Sequence, residues 1–257
     1  MYPVIYNLFG IQIYSFGLFL ALGFIFSLIS LIEVGKRFGF SKNDAIDLSY
    51  ILLISGVVGA RVFYIILNYQ YYLSKPLEML LINKGGLVYY GGFIGGIFAV
   101  LYFVKNHKLS FLTTVDLIAS VVPIGQMFGR IGCFLNGCCF GTESVGKLKV
   151  IFPLGSPAFN HYHEFQPVHP VQLYESFGVG IIFLILVSVI ERKKFDGQII
   201  SLYGILYPLL RFNIEFFRAD NPKLLNLFTI SQYLSIIIFI ISSFSYYYFA
   251  RKQKCKQ

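Results

Sequence analysis

Two short stretches hold residue types that an otherwise apolar sequence has no ordinary use for. The first, "GRIGCFLNGCCFG" at residues 129–141, places Arg130, Asn136 and three cysteines, Cys133, Cys138 and Cys139, within thirteen residues. The second, "RFNIEFFR" at residues 211–218, sets Arg211 and Glu215 four apart and Arg218 three further on, so a helix stacks all three along one face. Guanidinium forks bind phosphate through paired N–H bonds, so a group of arginines at one level is suited to a phosphate. The cysteines allow other chemistry. Beside Arg130 a thiol pKa falls and the thiolate serves as base or nucleophile, whereas in an oxidising compartment Cys133 pairs with Cys138 or Cys139 as a disulfide. The plain alternative is three small packed residues with no chemistry.

The elements that must position these residues are membrane helices. Of the 257 residues 56% are hydrophobic and only 13% charged, with 28 Phe and 19 Tyr, and the mean hydropathy is +0.70. That composition excludes a soluble domain. The net charge of +9 is scattered in short clusters between apolar runs, which excludes nucleic acid as a partner. Apolar runs of about 20 residues, enough to cross a ~30 Å hydrocarbon core, occur at 13–32, 48–67, 86–104, 111–129, 171–190, 198–217 and 229–249. The expected fold is therefore an all-α polytopic membrane protein with seven transmembrane helices. The first run lacks the basic leader and cleavage site of a removable signal and is read as a retained helix.

Orientation follows from the loops. Twelve Lys and Arg residues fall in the first, third and fifth connections and the tail, against seven on the other side, so the N-terminus lies outside and the C-terminus inside. Residues 142–170, with four prolines and His161, His163 and His169, then form a small extracytoplasmic head inserted into a single transmembrane domain, 1–257. Histidines spaced in this way in a Pro-rich loop favour a polar surface over a zinc site, so no metal and no cofactor is assigned. Residues 68–85 suit a segment lying on the membrane surface. Cys255, in the basic tail, is given no role.

A charge at the bilayer centre costs at least ~2.5–3.5 kcal/mol on the insertion scale and marks a function or a pair. Such positions are Arg61 late in the second span, Asp116 early in the fourth, Arg130 at its outer end, and Arg211, Glu215 and Arg218 in the outer half of the sixth. Glu215 partners one arginine, and the others remain in excess for a phosphate; otherwise they snorkel to the interface. Gly56 and Gly59, with Gly85, Gly86, Gly91, Gly92, Gly95 and Gly96, permit close helix contact or a broken helix lining a polar chamber.

Together, "GGLVYYGGFIGG", "GRIGCFLNGCCFG", "HPVQLYES" and "RFNIEFFRADN" resemble the prolipoprotein diacylglyceryl transferases over nearly the whole chain. The resemblance implies a transferase that moves the diacylglyceryl group of phosphatidylglycerol to the lipobox cysteine in a prolipoprotein signal peptide. A thioether forms and glycerol phosphate leaves at the outer face of the cytoplasmic (inner) membrane, among membrane lipids. Arg130, with Gly129, Gly132, Asn136 and Gly141, matches the family signature; Arg211 and Glu215 match its essential pair, and His169 keeps its place in "HPVQLYE". Cys133 and Cys138 stand where the signature has Asn and Glu, Tyr90 where a His follows the double glycine, and Phe16 where the first span has Tyr. The resemblance thus implies Arg130, Arg211, Glu215, Tyr90, Cys133 and Cys138 for catalysis. It implies Arg130, Asn136, Gly141, Arg61, His169 and Arg218 for substrate. Transfer requires a deprotonated thiol, and an unperturbed Tyr at ~10 is a poor base near neutrality. The alternative is a divergent paralogue that keeps the headgroup site with another acceptor, thiol or redox chemistry, or no catalysis.

The loop charges generate a direct expectation: a reporter fused after Lys256 is active only in the cytoplasm. Activity on the other side overturns the orientation and moves Arg130 and Arg211 to the wrong leaflet.

Overall fold

The computed structural model describes residues 4–8, 11–80, 86–224 and 227–254; Lys84, Gly85 and Cys255 lie outside them. The apolar runs are helical because in lipid every backbone N–H and C=O must be bonded within the segment. In chain order the longer elements are α1 (Ser15–Lys36), α2 (Lys42–Leu67), α4 (Tyr89–His107), α5 (Phe111–Asn136), α7 (Val171–Ile190), α8 (Gln198–Ile214) and α9 (Ile230–Lys254). The short helices α3 (Tyr69–Ser74) and α6 (Pro157–Tyr162) lie between them. Strand pairs are brief: β1 (Val4–Leu8) with β2 (Ile11–Tyr14), β3 (Val150–Ile151) with β4 (Pro167–Val168), and β5 (Lys223–Leu224) with β6 (Phe228–Thr229), all antiparallel.

This is an all-α polytopic membrane protein. Among the described residues six helices are long and apolar enough to cross a membrane. The helix at the expected third span, α4, is 19 residues long, but its four glycines and three tyrosines dilute its apolar content.

The chain divides into two compact units, Met1–Leu31 with Asp116–Gln257, and Ile32–Val115. In the second, α2 and α4 pack through glycine. A Cβ on Gly59 would strike the Gly91 carbonyl, one on Gly91 the Gly59 carbonyl, and one on Gly95 the Ser55 carbonyl. The glycines are thus a close-contact seam. Ser41 and Asp44 form a capping box at the start of α2, and Asp44 also meets His107 Nδ1 at 2.9 Å. Arg61 is buried. It donates to the carbonyls of Glu78 (2.7 Å), Met79 (3.0 Å) and Gly86 (3.2 Å), with its guanidinium over the Tyr72 and Tyr64 rings.

In the first unit, α1 lies along α5 where Gly23 faces Phe128, with Phe26 stacked on Phe128 at 5.2 Å. Ser176 of α7 donates to the Met127 carbonyl of α5 at 3.0 Å. Contacts at Gly178 with Leu210, and at Gly204 with Ser242, draw α7, α8 and α9 together. Asp116 is fully buried. It accepts from the backbone N–H groups of Gly197 (2.8 Å), Ile199 (3.0 Å) and Ile200 (2.9 Å), and from Lys193 Nζ at 3.2 Å. It therefore satisfies the free N–H groups at the start of α8 and faces the positive end of the helix dipole. Residues 142–170 close over a small core of Phe140, Phe152, Ala158 and Val168, with Ser156 capping α6.

The seam makes a stability prediction. Gly91→Leu forces α2 and α4 apart and costs ~1–3 kcal/mol, the range for overpacking, lowering the thermal midpoint in detergent. Gly17→Ala, where an added Cβ meets nothing within 4 Å, leaves it unchanged. Equal midpoints for both variants overturn the seam.

Candidate active site

Three helix ends build the site. Arg130 sits less than two turns before the end of α5, Glu175 in the second turn of α7, and Arg211 in the last turn of α8. Pro208 removes a backbone donor one turn earlier in α8, and a single 3-10 turn, Glu215–Phe217, follows. Glu175 is 2% exposed and joins two arginines. Its Oε1 lies 3.0 Å from Arg130 Nη2 and its Oε2 3.1 Å from Arg211 Nη1. The Tyr207 hydroxyl donates to Oε1 at 3.2 Å. Arg211 Nη2 also reaches Glu215 Oε2 at 2.7 Å, and Glu215 Oε1 accepts from Asn221 (2.6 Å) and Thr229 (2.8 Å). Arg218 forks onto Asp220 at 3.0 and 2.8 Å and lies 3.8 Å from Glu215.

The expectation of surplus arginine is corrected by this lattice. Glu175 and Asp220 join Glu215, so three carboxylates face three guanidiniums. Burying an unpaired ion costs several kcal/mol, which is why the two signs arrive together. The arginines differ in access: 21% of the Arg130 side chain is exposed, against 12% for Arg211 and 7% for Arg218. An anion can add most readily at Arg130.

Beyond Asn136 the chain turns through two left-handed residues, Gly137 (φ +76°) and Cys139 (φ +61°). Glycine adopts this conformation freely; cysteine does so only when its surroundings hold it there. The turn brings the sulfurs of Cys133, Cys138 and Cys139 within 4.8 Å of one another, and all three are free, partly buried thiols. Gln172 donates to the Cys138 carbonyl at 2.7 Å, and the Cys138 thiol reaches the Cys133 carbonyl at 3.7 Å. The Cys139 thiol is held well below the usual thiol range. Hydrogen bonds from Cys133 and Cys138 come first, the Arg218 and Arg130 charges add to them, and burial opposes both.

Gly141 locks this turn to its surroundings. Its N–H donates to the His169 carbonyl at 3.2 Å, it bridges to Arg218, and a Cβ would strike the His169 carbonyl. The His169 ring meets the Tyr174 hydroxyl through Nδ1 at 3.3 Å and the edge of Phe217 at 5.4 Å. Arg130, Asn136, Gly141, His169, Arg211, Glu215, Arg218 and the cysteines thus all belong to the first unit. Arg61 and Tyr90 belong to the second, where Tyr90 is 56% exposed on the first turn of α4. Sequence reasoning missed Glu175, Tyr207, Asp220, Asn221 and Thr229. For Glu175 the signal was present: it is a carboxylate inside an apolar run.

A buried lattice of arginines and carboxylates at the ends of helices apolar enough to cross a membrane defines a polytopic membrane protein with an anion-binding site. Comparison with known proteins gives the particular family. Residues 3–248 match the family model described as prolipoprotein diacylglyceryl transferase. A Finegoldia magna protein named phosphatidylglycerol–prolipoprotein diacylglyceryl transferase is 35% identical over 238 residues, covering 92% of this chain and 91% of its own. Proteins of the same name from Clostridium tetani and Clostridioides difficile are each 32% identical, covering 95% and 98% of this chain and 96% of their own lengths. The chain belongs to the prolipoprotein diacylglyceryl transferase family.

Glu175 is the site's hinge of charge. Glu175→Gln removes the shared counterion of Arg130 and Arg211, leaving buried charge uncompensated at ~3–5 kcal/mol. The expected outcome is a clear fall in thermal midpoint, larger than for Asp220→Asn at the partly exposed end of the lattice. Equal, small shifts for both contradict the bridging role.

Proposed function

We propose that this chain transfers the diacylglyceryl group of phosphatidylglycerol to the lipobox cysteine of a prolipoprotein, forming a thioether and releasing glycerol phosphate. The observation that carries the reading is the Arg130–Glu175–Arg211–Glu215 lattice, built by the blocks that resemble the family and left open on the Arg130 side. The relatives' names point to the same substrates. The headgroup phosphate enters against Arg130 while Glu175 and Glu215 hold both guanidiniums in place. As the C–O bond breaks, charge builds on the departing glycerol phosphate, and preorganised N–H donors stabilise it where it develops. Asn136, Gly141, His169 and Arg218 line the approach for the substrates. The same reading sets seven spans with α4 as the third, N-terminus out and C-terminus in. The site then faces the outer leaflet of the cytoplasmic membrane, and residues 142–170 form an extracytoplasmic head on a single transmembrane domain.

The test is reconstitution with phosphatidylglycerol and a lipobox peptide, reading the thioether product by mass. Arg130→Ala and Arg211→Ala each abolish product while the protein stays inserted, and Arg130→Lys does not restore it, because an ammonium cannot make the paired contact. Wild-type turnover in both alanine variants shows that the arginines only snorkel and overturns the reading.

A further inference from the structure

The three-cysteine cluster is the one group of metal-ligating side chains among the described residues that the arginine lattice does not use. We propose that Cys133, Cys138 and Cys139 hold one thiophilic divalent cation, zinc, and that its fourth position takes the acceptor thiol. The first half stands on the cluster alone; the second rests on the transferase reading above.

Geometry comes first. Tetrahedral zinc with Zn–S near 2.3 Å spaces its sulfurs by about 3.8 Å. The three sulfurs already lie within 4.8 Å of one another, so side-chain adjustment of about 1 Å closes the site. Sequence spacing alone does not bring them together. Cys133 is on α5 and the other two follow its end, returned by the left-handed backbone of Gly137 and Cys139. A set of three protein ligands is the pattern of a zinc site with an open position, and closed structural sites carry four.

The surroundings fit the charge. Three thiolates with Zn²⁺ carry a net charge of −1, and two cations stand close by: Arg130 lies one turn before Cys133 on α5, and Arg218 bridges to Gly141, two residues after Cys139. The cluster also has an outer support, since Gln172 fixes the Cys138 backbone at 2.7 Å. The Gln172 Oε1 atom is buried with no hydrogen-bond partner among the described residues.

The chemistry then closes. Thioether formation needs a thiolate, and the nearby carboxylates are committed: Glu175 to Arg130, Arg211 and Tyr207, and Glu215 to Arg211, Asn221 and Thr229. Their oxygens are already occupied by these partners. A cation solves the problem directly, because a coordinating thiol is deprotonated outright. The acceptor S–H gives its proton to solvent on binding, and its sulfur attacks the glyceryl carbon that carries the phosphoester oxygen. The C–S bond forms, the C–O bond breaks, and the electron pair leaves with oxygen as glycerol phosphate. Nothing is oxidised or reduced, and the cation keeps its charge. The product thioether is a weaker ligand than the thiolate and departs.

The experiment uses the full chain purified in detergent. Elemental analysis gives about one zinc per chain, lost in the Cys133→Ser, Cys138→Ser, Cys139→Ser triple variant and retained in Cys139→His, which keeps a nitrogen ligand. With cobalt in place of zinc, the sulfur-to-metal charge-transfer band grows when a lipobox peptide is added and stays constant with its Cys→Ser version. That measurement needs no variant of the enzyme. Chelation lowers transfer by about 10²-fold, the scale of a lost acid–base function, and zinc restores it. A metal-free chain that is fully active, or a disulfide among these cysteines in the intact mass, overturns the proposal and leaves the transferase reading standing. A cobalt spectrum indifferent to the peptide thiol overturns the acceptor's place. A chain whose cobalt band responds to the peptide but which makes no thioether supports the metal–thiol site and sinks the transferase reading.

Discussion

Glu175 is a single carboxylate shared by guanidiniums from two other helices, and the arrangement of α5, α7 and α8 depends on it. Arg130 and Arg211 would repel one another if nothing lay between them. With Glu175 at 3.0 and 3.1 Å from them, and almost fully buried, repulsion becomes a three-body attraction in a medium where electrostatic interactions are strong. The attraction holds only while α7 presents its second turn to the ends of α5 and α8. The Ser176–Met127 hydrogen bond and the Gly178–Leu210 contact, immediately after Glu175, keep that register. Packing and charge therefore specify the same helix positions.

The same physics gives two outcomes at two depths. Asp116 is as buried as Glu175, yet its oxygens accept three backbone N–H groups and one lysine, so it is consumed in starting α8. Glu175 meets side chains that keep donors to spare, with one of them, Arg130, open at its surface. A buried carboxylate completes a backbone in the first case and arranges reactive cations in the second. The partners, not the burial, separate structure from function.

Much of this was legible in the residues. Six helices follow directly from apolar runs, and their observed ends lie within a few residues of the expected ones except where the helix extends beyond the run, as α2 does back to Lys42 and α5 does through Cys133 to Asn136. The i, i+4 spacing of Arg211 and Glu215 foretold their 2.7 Å contact. Glu175 was legible as a carboxylate inside the apolar run of α7, but its two guanidinium partners lie on other helices, which spacing along the chain does not reveal. Asp220, Asn221 and Thr229 reach Arg218 and Glu215 from the segment that folds back through β5 and β6, a return that hydropathy does not encode. The convergence of three sulfurs was equally out of reach: Cys133 and Cys138 are five apart, on no common helix face, and meet only because the backbone reverses at Gly137 and Cys139.

The central claim is that Arg130 and Arg211, held by Glu175, receive the phosphate of a lipid headgroup. Solid-state NMR of the chain in bilayers, with ¹⁵N-guanidinium label and natural ³¹P in phosphatidylglycerol, reads that contact as ³¹P–¹⁵N dipolar dephasing. The account predicts dephasing at hydrogen-bonding range that disappears in the Arg130→Lys, Arg211→Lys double variant. Dephasing that is the same in both proteins assigns the contact to arginines elsewhere and contradicts the claim.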